Sequence, residues 1–234
     1  MNKFLKRWLP ILIILSGMLI AYFFGAAKLL SFESLKVHHH ALKIFLADHP
    51  ISVPIIYILT YIIFVALSIP GAIFLTLLGG YLFPQPWSTI YVVFSATCGA
   101  AAIFLAARTA IGDSLRKKAG PFLKKMEKNF QKNATSYLLF LRFVPIFPFW
   151  LVNIAPALFG VALSTFIWTT LVGITPGSFV FTLAGGGLEK ILESEQNFSL
   201  NAIFNTEIKI ALSLLGVLSL VPILIKRFKK TKNR

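Results

Sequence analysis

Apolar runs alternate with short charged stretches along the chain, and their lengths are those of membrane-crossing elements. Residues 9–27 are uncharged and long enough to span a bilayer as one helix. In 28–49, Leu29, Leu30, Phe32, Leu35, Leu42, Phe45 and Leu46 recur at roughly helical spacing among charges and histidines. That pattern predicts a helix lying in the membrane interface, here expected on the outer surface. Residues 50–107 then carry no charged side chain, and neither do 143–188. By length the first of these could hold two spans, or one span plus a hairpin, and the second is again too long for one. A last apolar run, 210–225, precedes the C-terminal tail.

Charge decides between the alternatives. The stretch 108–132 holds Arg108, Arg116, Lys117, Lys118, Lys124, Lys125, Lys128 and Lys132 against only Asp113 and Glu127. Such an excess belongs on the cytoplasmic side, as does the basic start at Lys3, Lys6 and Arg7. Both are satisfied if 51–83 is a hairpin that enters and leaves by one face and only 87–107 crosses. Ser68-Ile69-Pro70-Gly71 supplies its turn, and Gly79-Gly80 with Pro84-Gln85-Pro86 its exit. Downstream, a second hairpin over about 137–158 lets 163–183 cross outward. Glu189, Glu193, Glu195 and Glu207 then lie outside against Lys190, while Lys226, Arg227, Lys229, Lys230, Lys232 and Arg234 return inside. The predicted fold is an all-α membrane protein with two re-entrant helical hairpins in inverted repeat and about four transmembrane helices. Residues 1–49 form an N-terminal unit, 50–190 the core, and 191–234 the outer loop, last span and tail. A short echo agrees with the repeat: Leu82-Phe83 before Ser88-Thr89 returns as Leu158-Phe159 before Ser164-Thr165.

Composition sharpens the class. Of 234 residues, 57% are hydrophobic and 14% aromatic, and the mean hydropathy is +0.80, values of a multi-pass membrane protein rather than a soluble domain. The net charge of +15 could suggest nucleic acid, but the basic residues sit between and after apolar segments, so topology accounts for them. The 117–132 stretch interleaves its lysines with Leu123, Met126 and Phe130 and could also lie as an amphipathic helix on an anionic inner leaflet. Cys98 is the single cysteine, so no disulfide framework exists. The first apolar stretch lacks a clear cleavage site and reads as a retained helix. Together with the compact loops, this points to a bacterial plasma membrane with both termini cytoplasmic.

The candidate chemistry lies in 137–160, where three prolines, Pro145, Pro148 and Pro156, interrupt an intensely apolar stretch that also holds Arg142. Broken backbone at membrane depth persists only where protein buries it or where it lines a wet cavity. A guanidinium there is costly by roughly 2.5 kcal/mol or more and reads as functional by default. Its planar fork suits a phosphate headgroup; the alternative is that it snorkels to the inner interface. Asn153 must find partners and could cap the hairpin turn or line the path. Pro70, Gly71, Gly79 and Gly80 shape backbone. His38, His39 and His40 point in different directions on a helix and are expected to be structural or solvated, not a metal site. No enzyme signature is present, and the sequons at Asn133 and Asn197 are short enough to arise by chance.

The order and spacing of several short motifs resemble the VTT-domain family of DedA-like, "SNARE-associated Golgi" membrane proteins, most of all their vacuolar Tvp branch. The likeness covers about 51–187. It rests on Ile69-Pro70-Gly71 leading to Leu78-Gly79-Gly80-Tyr81-Leu82-Phe83, on Ala107-Arg108 with Gly112-Asp113, and on Leu141-Arg142-Phe143-Val144-Pro145. Phe147-Pro148-Phe149, Asn153, Leu158-Phe159-Gly160 and Thr175-Pro176-Gly177 follow. The resemblance implies facing re-entrant hairpins and a role in moving lipids, as in scramblase-like eukaryotic members and in bacterial members linked to carrier-lipid phosphate recycling and membrane-potential homeostasis. Arg142 matches the family arginine before Phe-x-Pro. The second arginine of the DedA members is replaced by Phe149 and Trp150, and 51–107 contains none of their carboxylates, so proton coupling of that kind is not expected.

These readings give Arg142, Asn153, Arg108, Pro145 and Pro148 as substrate-binding candidates. Pro70, Gly71, Gly79, Gly80, Pro176 and Gly177 are the candidates for shaping the hairpins. Catalytic residues, cofactors and metals are not expected. The expected partners are membrane lipids with anionic or phosphate headgroups, not nucleic acid. The competing functions are a small-solute or ion-coupled carrier and a membrane scaffold recruiting partners through the basic loop.

Overall fold

A computed structural model of the protein describes Ser16, residues 32–69, 71–109, 134–143 and 148–193, and Ile210. The expected spans 9–27 and 210–225 lie outside the described residues apart from Ser16 and Ile210, as do most of the basic stretch, Pro70 and Pro145. The described elements are all helices: α1 (Phe32–Asp48), α2 (Ser52–Ala66), α3 (Ala72–Leu82), α4 (Trp87–Ala107), α5 (Ala134–Phe143), α6 (Phe149–Leu158) and α7 (Leu163–Glu193). Among the described residues, Trp87–Ala107 and Leu163–Leu188 are long and apolar enough to cross a membrane. At 15, 11, 10 and 10 residues, α2, α3, α5 and α6 are each too short to cross alone. The chain turns by 116° between His40–Asp48 and α2, so α1 does not prolong α2.

Local chemistry sets the turns. α2 ends with Ser68 N–H on the Val65 carbonyl and Ile69 N–H on the Phe64 carbonyl, the paired bonds that close a helix on a left-handed residue. That residue is Ser68, at φ 53. α6 ends the same way on Gly160 at φ 68, with Gly160 N–H on Ala157 and Val161 N–H on Pro156. Gly71, at φ 130, opens α3 in a conformation that a side chain would strain.

α4 and α7 run antiparallel at the centre. Phe104 stacks on Phe166 with ring centres 4.4 Å apart, and Thr89 meets Thr182 at 2.8 Å further along the pair. The shorter helices pack around this pair reciprocally: α2 on α4 and α5 on α7, whereas α3 crosses to α7 and α6 to α4. Small residues make the approaches possible. A Cβ on Gly99 would run into Val65 and the Ile62 carbonyl, one on Gly80 would overlap the Thr182 carbonyl, and one on Gly185 the Leu77 carbonyl. α2 buries Tyr57, Tyr61 and Val65 and exposes Ile55, Leu59 and Ile63, an apolar outer face suited to lipid. The two parts of the sequence echo fall at matching places, Phe83 capping α3 ahead of α4 and Phe159 capping α6 ahead of α7.

One expectation is corrected. Pro176 and Gly177 do not shape a hairpin; they lie inside α7, which continues without a break from Leu163 to Glu193, well past the expected end at 183. A proline removes one backbone donor, and in a packed apolar helix that loss is tolerated.

Candidate functional site

Arg142 occupies the last turn of α5. Gly173 on α7 clears room for its stem: a Cβ at Gly173 would come within 2.5 Å of Arg142 Cβ. The guanidinium therefore passes over α7 and reaches α6. Nη2 donates to Asn153 Oδ1 and to Thr170 Oγ1, both at 2.8 Å, and the guanidinium carbon stands 5.3 Å from the centre of the Phe166 ring. Nε and Nη1 are shielded from solvent. Three elements thus converge on one cation, through an amide, a hydroxyl and an aromatic face.

Asn153 and Thr170 are both fully buried, at 0% exposure. Asn153 uses its carbonyl oxygen on Arg142, and its Nδ2 has no hydrogen-bond partner. A buried amide donor left open costs about 1–3 kcal/mol. The arrangement can hold an oxyanion, with donors on α5 and α6 and an aromatic wall from α7. Thr169 is turned away, its hydroxyl bonded to the Thr165 carbonyl at 2.6 Å.

Of the sequence candidates, the structure brings Arg142 and Asn153 together. Pro148 caps the start of α6, which carries Asn153. Arg108 is exposed at the end of α4, one turn beyond Phe104. Gly79 lies under Tyr57, whose hydroxyl a Cβ there would displace, and Gly80 under Thr182. Sequence reasoning missed Thr170, Phe166 and Gly173; a Thr-Thr pair in an otherwise apolar helix was the signal for the first.

The first helix pair carries no such charge. Tyr57 donates to the Leu75 carbonyl at 2.7 Å, Tyr61 shares a 2.9 Å bond with Thr76, and Thr76 bonds the Ala72 carbonyl at 2.8 Å. Neutral hydroxyls thus tie α2 to α3.

The VTT domain family model matches residues 69–186, just over half of the chain and inclusive of Arg142, Asn153 and Thr170. The chain is 34% identical over 179 residues to the Transmembrane protein 41 homolog of Caenorhabditis elegans, covering 75% of this chain and 70% of that protein. It is 31% identical over 186 residues to Transmembrane protein 41B of Homo sapiens, covering 78% and 62%. To Transmembrane protein 41B of Gallus gallus it is 30% identical over 186 residues, covering 78% and 66%. The match thus spans a little under two thirds of the human and chicken relatives. No solved structure matches the chain.

Proposed function

The chain belongs to the VTT domain family and is an integral membrane protein, and from that premise we propose that it moves phospholipids between leaflets. The phosphate headgroup passes the Arg142 site while the acyl chains stay in the bilayer. The observation that carries this reading is the buried convergence of Arg142, Asn153 and Thr170, with Asn153 Nδ2 still open to an acceptor. Guanidinium and amide donors match phosphate oxygens, and a headgroup would exchange two neutral acceptors for an anionic one. This is carriage, not catalysis: no bond is made or broken.

In this reading α2–α3 and α5–α6 are re-entrant hairpins entering from opposite faces as an inverted repeat. The reciprocal packing of the short helices on α4 and α7 supports it. Four spans, cytoplasmic termini and a bacterial plasma membrane complete the topology, supported by the basic stretch and tail.

The test is leaflet exchange of a fluorescent phospholipid in liposomes, comparing empty vesicles, the full chain and Arg142→Ala. Exchange faster than in empty vesicles, and lowered by the substitution, is the expected result. Exchange at the empty-vesicle rate by inserted protein would end the lipid-carrier reading.

A further inference from the structure

A second polar region lies twelve residues along α7 from Thr170, at Thr182, about 18 Å away at the helical rise. Here Gln85 Nε2 donates to Thr182 Oγ1 at 2.6 Å, and Thr89 donates to Gln85 Oε1 at 2.8 Å. These residues sit beside an open cleft of about 360 Å³ where α1, the end of α3, the 83–85 turn and α7 meet. That volume is within the range of about 300–1,000 Å³ usual for small-molecule sites.

The lining has two characters. Gln85 and Thr182 supply polar groups, and Lys43 of α1 is the charged residue among the described lining. The remaining walls include Leu46, Leu82, Phe83 and Leu183. Space comes from glycines: Gly80 and Gly186 border the cleft, and a Cβ at Gly186 would make only ordinary contact, 3.5 Å from the Gly80 carbonyl.

We propose that this cleft is a second headgroup site, binding the phosphate ester of a membrane phospholipid with Lys43 and Gln85 while the lipid's apolar part lies along Leu82 and Leu183. A lysine is a point charge that holds phosphate without demanding one orientation, and the apolar walls favour a lipid over a free phosphate ester. The site lies on the opposite half of α7 from Arg142. It rests on the lipid-carrier reading for its role in transport, though not for its occupancy.

Occupancy is tested by photolabelling the full chain in nanodiscs with phosphatidylglycerol bearing a diazirine near the glycerol, followed by mapping of adducts. Adducts are expected on α1 and on the Phe83–Gln85 turn. Lys43→Gln should lower their yield at least threefold, Lys43→Arg should restore it, and Arg142→Gln should leave it unchanged. Gly186→Leu fills the cleft from its exposed side without disturbing the packed seam, and should lower the yield even if Lys43→Gln folds poorly. Adducts spread over the apolar surface, or indifferent to both Lys43→Gln and Gly186→Leu, would overturn the assignment. Displacement of the label by water-soluble glycerol phosphate would assign the cleft to free phosphate esters and overturn the lipid claim. Because labelling reads binding and the liposome assay reads transport, labelling without exchange would remove the carrier reading and keep the cleft, and exchange without labelling would do the reverse.

Discussion

The two short helix pairs are built alike and joined differently. Each begins with a helix seated at a glycine of the following long helix, Gly99 for α2 and Gly173 for α5. Each sends its second helix across to the other long helix. Yet α2 and α3 are tied by Tyr57, Tyr61 and Thr76, hydroxyl groups satisfied within the pair. α5 and α6 are tied by a guanidinium on an amide, with a donor of that amide left open. The difference teaches a division of labour that the proposed function turns into a prediction: the neutral, self-satisfied joint should matter for stability, and the charged one for transport. The two kinds of joint make the separation testable.

The largest effect is expected from Arg142→Leu. It should lower lipid exchange about tenfold or more, equivalent to ~1.4 kcal/mol of barrier, while stability falls only by the about 1–3 kcal/mol that an unpaired buried Asn153 carbonyl costs. A large fall in Tm together with exchange would make Arg142 a joint like the other. Next, Asn153→Asp gives the guanidinium a resident anion in place of a phosphate. Exchange should fall about fivefold with Tm unchanged or raised, and undiminished exchange would place the headgroup elsewhere.

Smaller, and opposite in kind, are the changes in the first pair. Tyr61→Phe and Thr76→Val should each cost about 1 kcal/mol in unfolding experiments and leave exchange untouched. The double variant should cost less than the sum, because the two hydroxyls bond each other. The smallest effect is expected from Ser68→Gly. It relieves a positive φ and removes a buried hydroxyl without a hydrogen-bond partner, and should raise stability by up to about 1 kcal/mol. A loss on that substitution would show that Ser68 contributes more than backbone shape.

Much of this was legible in the sequence because uncharged length and basic loops are strong signals in a membrane protein. The α2–α3 and α5–α6 pairs and the α4 limits follow from them, as do Arg142 and Asn153, polar residues conspicuous in apolar runs. Thr170 and Phe166 were not legible as partners, since which face of α7 meets Arg142 is decided by packing at Gly173. Pro176 and Gly177 were expected to shape a hairpin and instead lie within α7: local propensity yields to a packed helix. The turn after α2 was expected at Ser68-Ile69-Pro70-Gly71, and Ser68 is the left-handed residue that closes the helix, though nothing in its residue type marks it for that conformation.

The 116° corner between α1 and α2 has a mechanical consequence. α1 shows Val37, Ile44 and Phe45 on its outside and packs Leu42 and Leu46 inward against the core. With α1 at the lipid surface, as its sequence pattern predicts, this corner would act as a depth stop, because the pair hung from it could sink no further than α1 allows. Bilayer thickness then becomes an input. A thinner membrane would bring the two polar stations on α7 closer to its opposite surfaces and a thicker one would bury them, so under the proposed function exchange would vary with membrane depth.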